Sequence, residues 1–173
     1  ISNSLGLPSG VASSMADAKA GDAQMGSEKA MSAVAAGLAG ANMIYESSGM
    51  TASLLGVSFE AFVLDNEMLS HVNRMIRGVE VNEETLGFEA IKAVVTGEGH
   101  FLGSDHTMAA MQRDYFYPTL ADRNDPASWA ELGAPDAWSM AKTKAIEILQ
   151  SHNPEYLSQD ADRAIRERFN ILM

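Results

Sequence analysis

The stretch GEGHFLGSDHTM, residues 97–108, holds two histidines and an aspartate of the kind that ligate transition metals: His100, Asp105 and His106. Helical metal sites place paired ligands at i and i+4. Here the separations from His100 are five and six, across the turn Gly103-Ser104, so nothing in the spacing forces the three to converge. The same residues also serve local structure, with Ser104 as an N-cap and Asp105 as a first-turn acid favoured by the helix dipole. We expect no metal. A second cluster, Asp17, Lys19, Asp22, Gln24 and Glu28 in DAKAGDAQMGSEK, follows a Gly/Ser/Pro loop and enters a helix. It reads either as the mouth of a cation-binding pocket or as the solvated start of that helix. The third set is aromatic: Tyr45, Phe101, Tyr115, Phe116, Tyr117, Trp129 and Trp138. Ring faces beside acids hold quaternary ammonium ions, which have no N–H to donate. Trp138, Phe116 and Trp129 are expected in the core. Tyr45, at the end of a short apolar run, is the best pocket candidate.

The elements that must position these residues are mostly helical. Residues 1–15 carry loop chemistry, and Ser14 with Asp17 resembles an N-terminal capping pair. The helix that follows presents a small-residue face of Ala30, Val34, Gly37 and Leu38 and stops near Gly40. Residues 41–46 form a candidate buried strand, and 47–57 a loop. Ser58 caps a strong helix over 59–77, with a stripe of Leu64, Met68, Val72, Met75 and Ile76, ended by Gly78. Asn82 caps a helix that runs to Gly97, with Glu83 and Glu84 in its first turn and Ile91, Val94 and Val95 inward. Ser104 caps a helix to about Asp114. An aromatic loop with Pro118 follows, then a short helix begun by Asp125-Pro126. Pro135 starts a helix to about Gln150 with Trp138, Ala141, Ala145 and Leu149 inward. Asn153-Pro154 breaks it, and a last helix spans about 159–170.

Composition narrows the function classes. The chain has 173 residues, 46% of them hydrophobic, which suits one globular domain. Its net charge of −11 opposes a nucleic-acid footprint and an anionic membrane surface. The acidity is spread, with 12 acids and 5 bases over 1–103 and 11 acids and 7 bases over 104–173. No apolar run is long enough to span a bilayer. The absence of cysteine excludes disulfides, thiolate metal sites and cysteine nucleophiles. No signal peptide is visible, so a cytoplasmic location is expected. The sequence has no dinucleotide-binding glycine fingerprint, no phosphate-binding Walker loop and no serine-hydrolase elbow. It opens on Ile1, which suggests a removed tag or the C-terminal part of a longer protein.

Taken in order, SGVASSMADAKAGDAQMGSEKA, GLAGANMIYE, SFEAFVLDNEML, RMIRGVEVNEETL, GEGHFLGSDHTM and YFYPTLADR resemble the C-terminal part of the trimethylamine:corrinoid methyltransferase family. The resemblance covers about residues 5–150. It implies that this mainly α chain is the end of a (β/α)8 barrel, with one or two short strands. Residues 1–103 would be the C-terminal portion of the barrel domain and 104–173 a helical extension. The loop before the first helix would then lie at the C-terminal mouth, where barrel active sites lie. The resemblance implies transfer of a methyl group from a methylated amine to the cobalt of a corrinoid (cobalamin) carried by a separate partner protein, with no metal held by this chain. The archaeal trimethylamine enzymes carry pyrrolysine near the loop corresponding to about residues 10–15. This chain has Gly10, Val11, Ala12, Ser13 and Ser14 there, as the non-pyrrolysine branch does. A quaternary, betaine-like amine is therefore the expected substrate.

The expected substrate-binding residues are Asp17, Asp22, Gln24, Tyr45 and His100; no residue is assigned a catalytic role. The chain alone is expected to be inactive and to form a homo-oligomer that covers the apolar faces of its helices. Two other classes remain open: a non-catalytic helical interaction module, and a small metal-dependent hydrolase using His100, Asp105 and His106.

Overall fold

The computed structural model describes residues 1–152 and 154–171; the expected break at Asn153 lies outside them. After one 3-10 turn at Asn3–Leu5, the chain forms β1 (Gly10–Ala12), α1 (Ala23–Leu38) and β2 (Met43–Tyr45). A small hairpin, β3 (Met50–Thr51) and β4 (Gly56–Val57), precedes α2 (Phe59–Arg77). Then come α3 (Glu83–Leu86), α4 (Phe88–Thr96), α5 (Asp105–Asp114), α6 (Pro126–Glu131), α7 (Ala137–Ser151) and α8 (Gln159–Arg168). The described chain is thus mainly helical, as expected. It has four strands of two or three residues where one or two were expected, because both β1 and the hairpin fall in stretches whose composition reads as loop.

β1, α1 and β2 make a parallel crossover unit, with Gly10, Val11 and Ala12 paired to Met43, Ile44 and Tyr45. Both strands therefore end on the same side, where the loops after them begin. The expected buried strand is a correction: Met43 and Tyr45 are exposed, because among the described residues β2 pairs with β1 alone. The expected capping pair Ser14 and Asp17 is another. Residues 14–22 stay outside the helix, and Asp22 is the cap, its Oδ1 accepting from the Gln24 and Met25 amides at 3.0 and 3.2 Å.

α2 packs on α1 along one side and on α7 along another. Ser58 caps α2, accepting from the Ala61 amide at 3.0 Å. The buried face of α1 is Met25, Lys29, Ala33 and Gly37, an i+4 row turned from the expected one, and Leu38 is exposed. Gly37 lies at a close approach of the two helices: a Cβ there would stand 2.1 Å from Ile76 Cδ1. Small Ala61, Ala141 and Ala145 are buried, the last two on the face of α7. Ala16, Ala18, Met25 and Ala61 form the innermost cluster, with Leu64 and Trp138 packed on it.

The expected single helix over 82–97 divides at Gly87, which takes φ 64°. The α4 segment then turns Ile91 and Val95 outward, against expectation, and of the three expected inward residues only Val94 is half-buried. Met75, Ile76 and Leu149 are also exposed. Trp129 is exposed rather than core; its Nε1 donates to the Pro135 carbonyl at 2.9 Å, so it closes the short α6 turn.

Candidate functional site

Two loops leave the shared C-terminal side of β1 and β2. The first, 13–22, carries Asp17 between buried Ala16 and Ala18. The second contains the β3–β4 hairpin. They are joined by backbone hydrogen bonds, the Ala52 amide donating to the Ala18 carbonyl at 2.8 Å and the Ser53 amide to the Ala16 carbonyl at 3.2 Å. Glu28, one turn into α1, clamps the first loop from the other side. Its Oε2 accepts from the Asp17 and Ala18 amides at 2.7 and 3.3 Å, and its Oε1 accepts from Gln24 Nε2 at 2.8 Å. The Gln24 side chain and these amides hold the Glu28 carboxyl below its usual range, against the pull of partial burial.

The result is an open hollow of about 490 Å³ lined by Met15, Ala16, Asp17, Glu28, Ser53 and Leu54. Glu28 spends both oxygens on protein donors, whereas the Asp17 side chain makes no hydrogen bond among the described residues. Asp17 is thus the carboxylate in the hollow that is not spent on protein donors among the described residues. Asp22 is committed through one oxygen to the helix start, and Gln24 acts through Glu28. Tyr45 is the last residue of β2, at the same end of the sheet, with its ring against Gly10. So the structure gathers Asp17, Gln24 and Glu28, places Asp22 beside them and Tyr45 on the adjoining strand.

His100 stands apart. It lies on the exposed loop after α4, with Nε2 3.7 Å from a carboxylate oxygen of Glu98. His106 belongs to a third place, its Nε2 3.0 Å from the Glu84 carbonyl with the ring against Gly87. Asp105 lies in the first turn of α5, capped by Ser104. Among the described residues, no group of three or more His, Asp or Glu is placed to hold a metal ion. The geometry that the hydrolase alternative needs is missing there.

Two buried ionic arrangements escaped the reading of the sequence. Lys29 on α1 and Asp65 on α2 form an ion pair at 2.7 Å, with side chains only 1% and 3% exposed. Asp65 Oδ2 also accepts from the Gly49 amide at 2.7 Å. Burial pushes the Asp65 carboxyl up, while Lys29 and the Gly49 amide pull it the other way. Glu67, further along α2, accepts from the Thr119, Leu120 and Ala121 amides at 2.5, 2.8 and 2.9 Å and from Thr119 Oγ1 at 3.1 Å. Burial works to raise its carboxyl, but the three amides and the hydroxyl outweigh that and hold it below the usual range. Asp65 could have been found: it sits on the apolar stripe four residues after Ala61 and seven before Val72, where a charge needs a partner.

Comparison with known proteins places these observations. The family model for trimethylamine methyltransferase (MTTB) matches residues 1–170. Trimethylamine methyltransferase MttB of Methanosarcina thermophila is 38% identical over 156 residues, covering 90% of this chain and 32% of the relative. The protein of the same name from Desulfitobacterium hafniense is 37% identical over 162 residues, 92% of this chain and 32% of the relative. Glycine betaine methyltransferase of another Desulfitobacterium hafniense strain is 30% identical over 161 residues, 93% of this chain and 33% of the relative. The chain spans about a third of the length of the curated relatives it matches. With the family model matched from residue 1 to residue 170, the chain belongs to the trimethylamine methyltransferase (MTTB) family.

Proposed function

We propose that this chain is part of an enzyme that moves a methyl group from a methylated amine to the cobalt of a corrinoid carried by a partner protein. The observation that carries the reading is the family match over residues 1–170. The corrinoid supplies the nucleophile, reduced cobalt, so a quaternary amine loses its methyl and leaves as a neutral tertiary amine. The protein's work is then to bind the cation, orient one methyl toward the docked corrinoid and exclude competing positions. No step asks this chain for a thiol or a metal.

The loops beyond β1 and β2 suit that work. In parallel crossover units, ligands bind beyond the carboxyl ends of the strands. Asp17 offers charge there, Glu28 and Gln24 fix the loop that carries it, and Asp22 fixes the helix start; Tyr45 is the proposed aromatic member, on the adjoining strand, and its ring would have to swing off Gly10 to face the amine. His100, on its own exposed loop beside Glu98, stays outside this grouping. The parallel pairing of β1 with β2 supports their being neighbouring strands of a (β/α)8 barrel. Residues 1–103 are then barrel and 104–173 helical extension, with α7 of the extension packed on α2.

The proposed substrate is a quaternary, betaine-like amine, because residues 10–14 are ordinary amino acids. A second reading, trimethylamine, draws on the higher identity to relatives of that name, 37–38% against 30%. The deciding experiment takes the protein expressed from its complete reading frame, adds chemically reduced cob(I)alamin, and follows the visible spectrum with a panel of methylated amines. Conversion to methylcobalamin with a betaine is the expected outcome. Conversion with trimethylamine while betaines stay inert would overturn the substrate assignment. The 173-residue chain by itself is expected to give no conversion.

A further inference from the structure

The Lys29–Asp65 pair takes no part in the proposed transfer, yet burying it is unfavourable. Two ions removed from water recover the loss only with good geometry, and an apolar pair of similar size often does as well or better. What such a pair would not supply is an acceptor for Gly49. The Asp65 oxygen that faces Lys29 also takes the Gly49 amide, both at 2.7 Å. Gly49 is the residue at which the chain enters the β3–β4 hairpin. It holds φ 79°, and a Cβ there would meet the Phe62 ring at 2.6 Å, so both its conformation and its seat are fixed.

The hairpin needs such fixing. Its turn runs through Ala52, Ser53 and Leu54 at φ 50°, 55° and 70°, three successive side-chain-bearing residues in the left-handed region. Each such residue is disfavoured, and a turn of this kind persists only where its surroundings over-determine it. One set of restraints is the pair of amides donated to the Asp17 loop. The others act at Gly49, whose amide donates to Asp65 at 2.7 Å and whose carbonyl accepts from the Ser58 amide at 3.3 Å. Ser53 and Leu54 then line the same hollow as Asp17.

We propose that Asp65 is a positioning residue for the amine site: its bond to the Gly49 amide seats the β3–β4 hairpin on the Asp17 loop, and Lys29 supplies the charge that lets a carboxylate occupy that place. The inference rests on reading the Asp17 hollow as the amine site.

Two double variants separate the hydrogen bond from the ion pair. K29M/D65N removes both charges and keeps an oxygen for Gly49. K29M/D65L removes both charges and the acceptor while keeping the branching of the side chain. In the protein from the complete reading frame, amide exchange at Ala52 and Ser53 is measured together with KM and kcat for the amine. In K29M/D65N exchange and KM stay near wild type. In K29M/D65L exchange at both amides rises about ten-fold, as loss of one hydrogen bond implies. Its KM rises about ten-fold while kcat stays within about two-fold, as when an interaction made equally in ground and transition state is lost. Equal exchange in the two doubles overturns the seating role, and faster exchange with unchanged KM overturns its link to the amine. A wild-type protein silent toward every amine defeats the functional reading, and the exchange comparison then upholds or overturns the seating role alone. Should K29M/D65L not fold, K29M/D65V makes the same comparison.

Discussion

Glu67 satisfies three consecutive backbone amides with one side chain, and so ties the loop after Pro118 to the middle of α2. Glu67→Gln keeps the shape but puts an NH2 group where one of the two accepting oxygens was. At least one buried donor then faces another donor, a loss of about 1–3 kcal/mol. The thermal midpoint of the variant is expected to fall at neutral pH. The pH dependence has a definite sign. The Glu67 carboxyl titrates below its usual value in the folded state, so its contribution is complete above the unfolded value and is lost as pH falls through the folded one. The gap between wild type and Glu67→Gln should therefore narrow below about pH 4, measured by denaturant melts across the acid range. A gap that stays constant with pH would mean that packing, not the carboxylate, carries the effect. Asp17→Asn calls for a different measurement: it is expected to raise KM for a cationic amine by about five-fold, since one exposed-side charge contributes about 1 kcal/mol, with little change in melting. At this scale the sequence offered its clearest polar cluster, Asp17 to Glu28, but not the division of labour within it. Which acid is spent on amides depends on a loop path that the residue types do not specify.

Gly37 governs how closely α1 can lie on α2. A methyl at that position would overlap Ile76 Cδ1, at 2.1 Å. Gly37→Ala should gain helix propensity yet destabilise the protein, because overpacking costs about 1–3 kcal/mol against a propensity gain of about 1. Adding Ile76→Val should return part of the loss, and a double-mutant melt reads the coupling directly. Helices were the legible part of this fold. Ser58, Asn82, Ser104 and Asp125 announce their caps in the sequence, and each accepts the expected amide. The strands were less legible, since Gly10–Ala12 and the hairpin are too short to show an alternating pattern. Faces were less legible still. The stripes on α1 and α4 were read from hydrophobicity, but the faces that are buried depend on partners. α1 turns Lys29 inward because Asp65 awaits it, whereas Ile91 and Val95 on α4 have no neighbour to cover them.

Those uncovered faces set the behaviour of the whole molecule. Phe88, Ile91 and Val95 project from one side of α4, and Val11 and Met43 project from a two-stranded parallel sheet. Parallel sheets ordinarily have both faces covered, and exposed apolar patches of this kind drive association. The net charge of −11 opposes it by self-repulsion. Salt separates the two terms. The screening length falls from about 10 Å at about 0.1 M to about 3 Å at about 1 M, while apolar contacts are not weakened. We therefore propose that the 173-residue chain self-associates at micromolar concentration, and that light scattering will record a larger mass at high salt than at low. If the protein from the complete reading frame covers the same surfaces within one barrel, its mass should respond much less to salt. A monodisperse monomer of this chain at both salt levels would mean that its exposed faces are too scattered to join. Self-association that weakens with salt would assign the contact to ion pairs rather than to the apolar faces of α4 and the β1–β2 sheet.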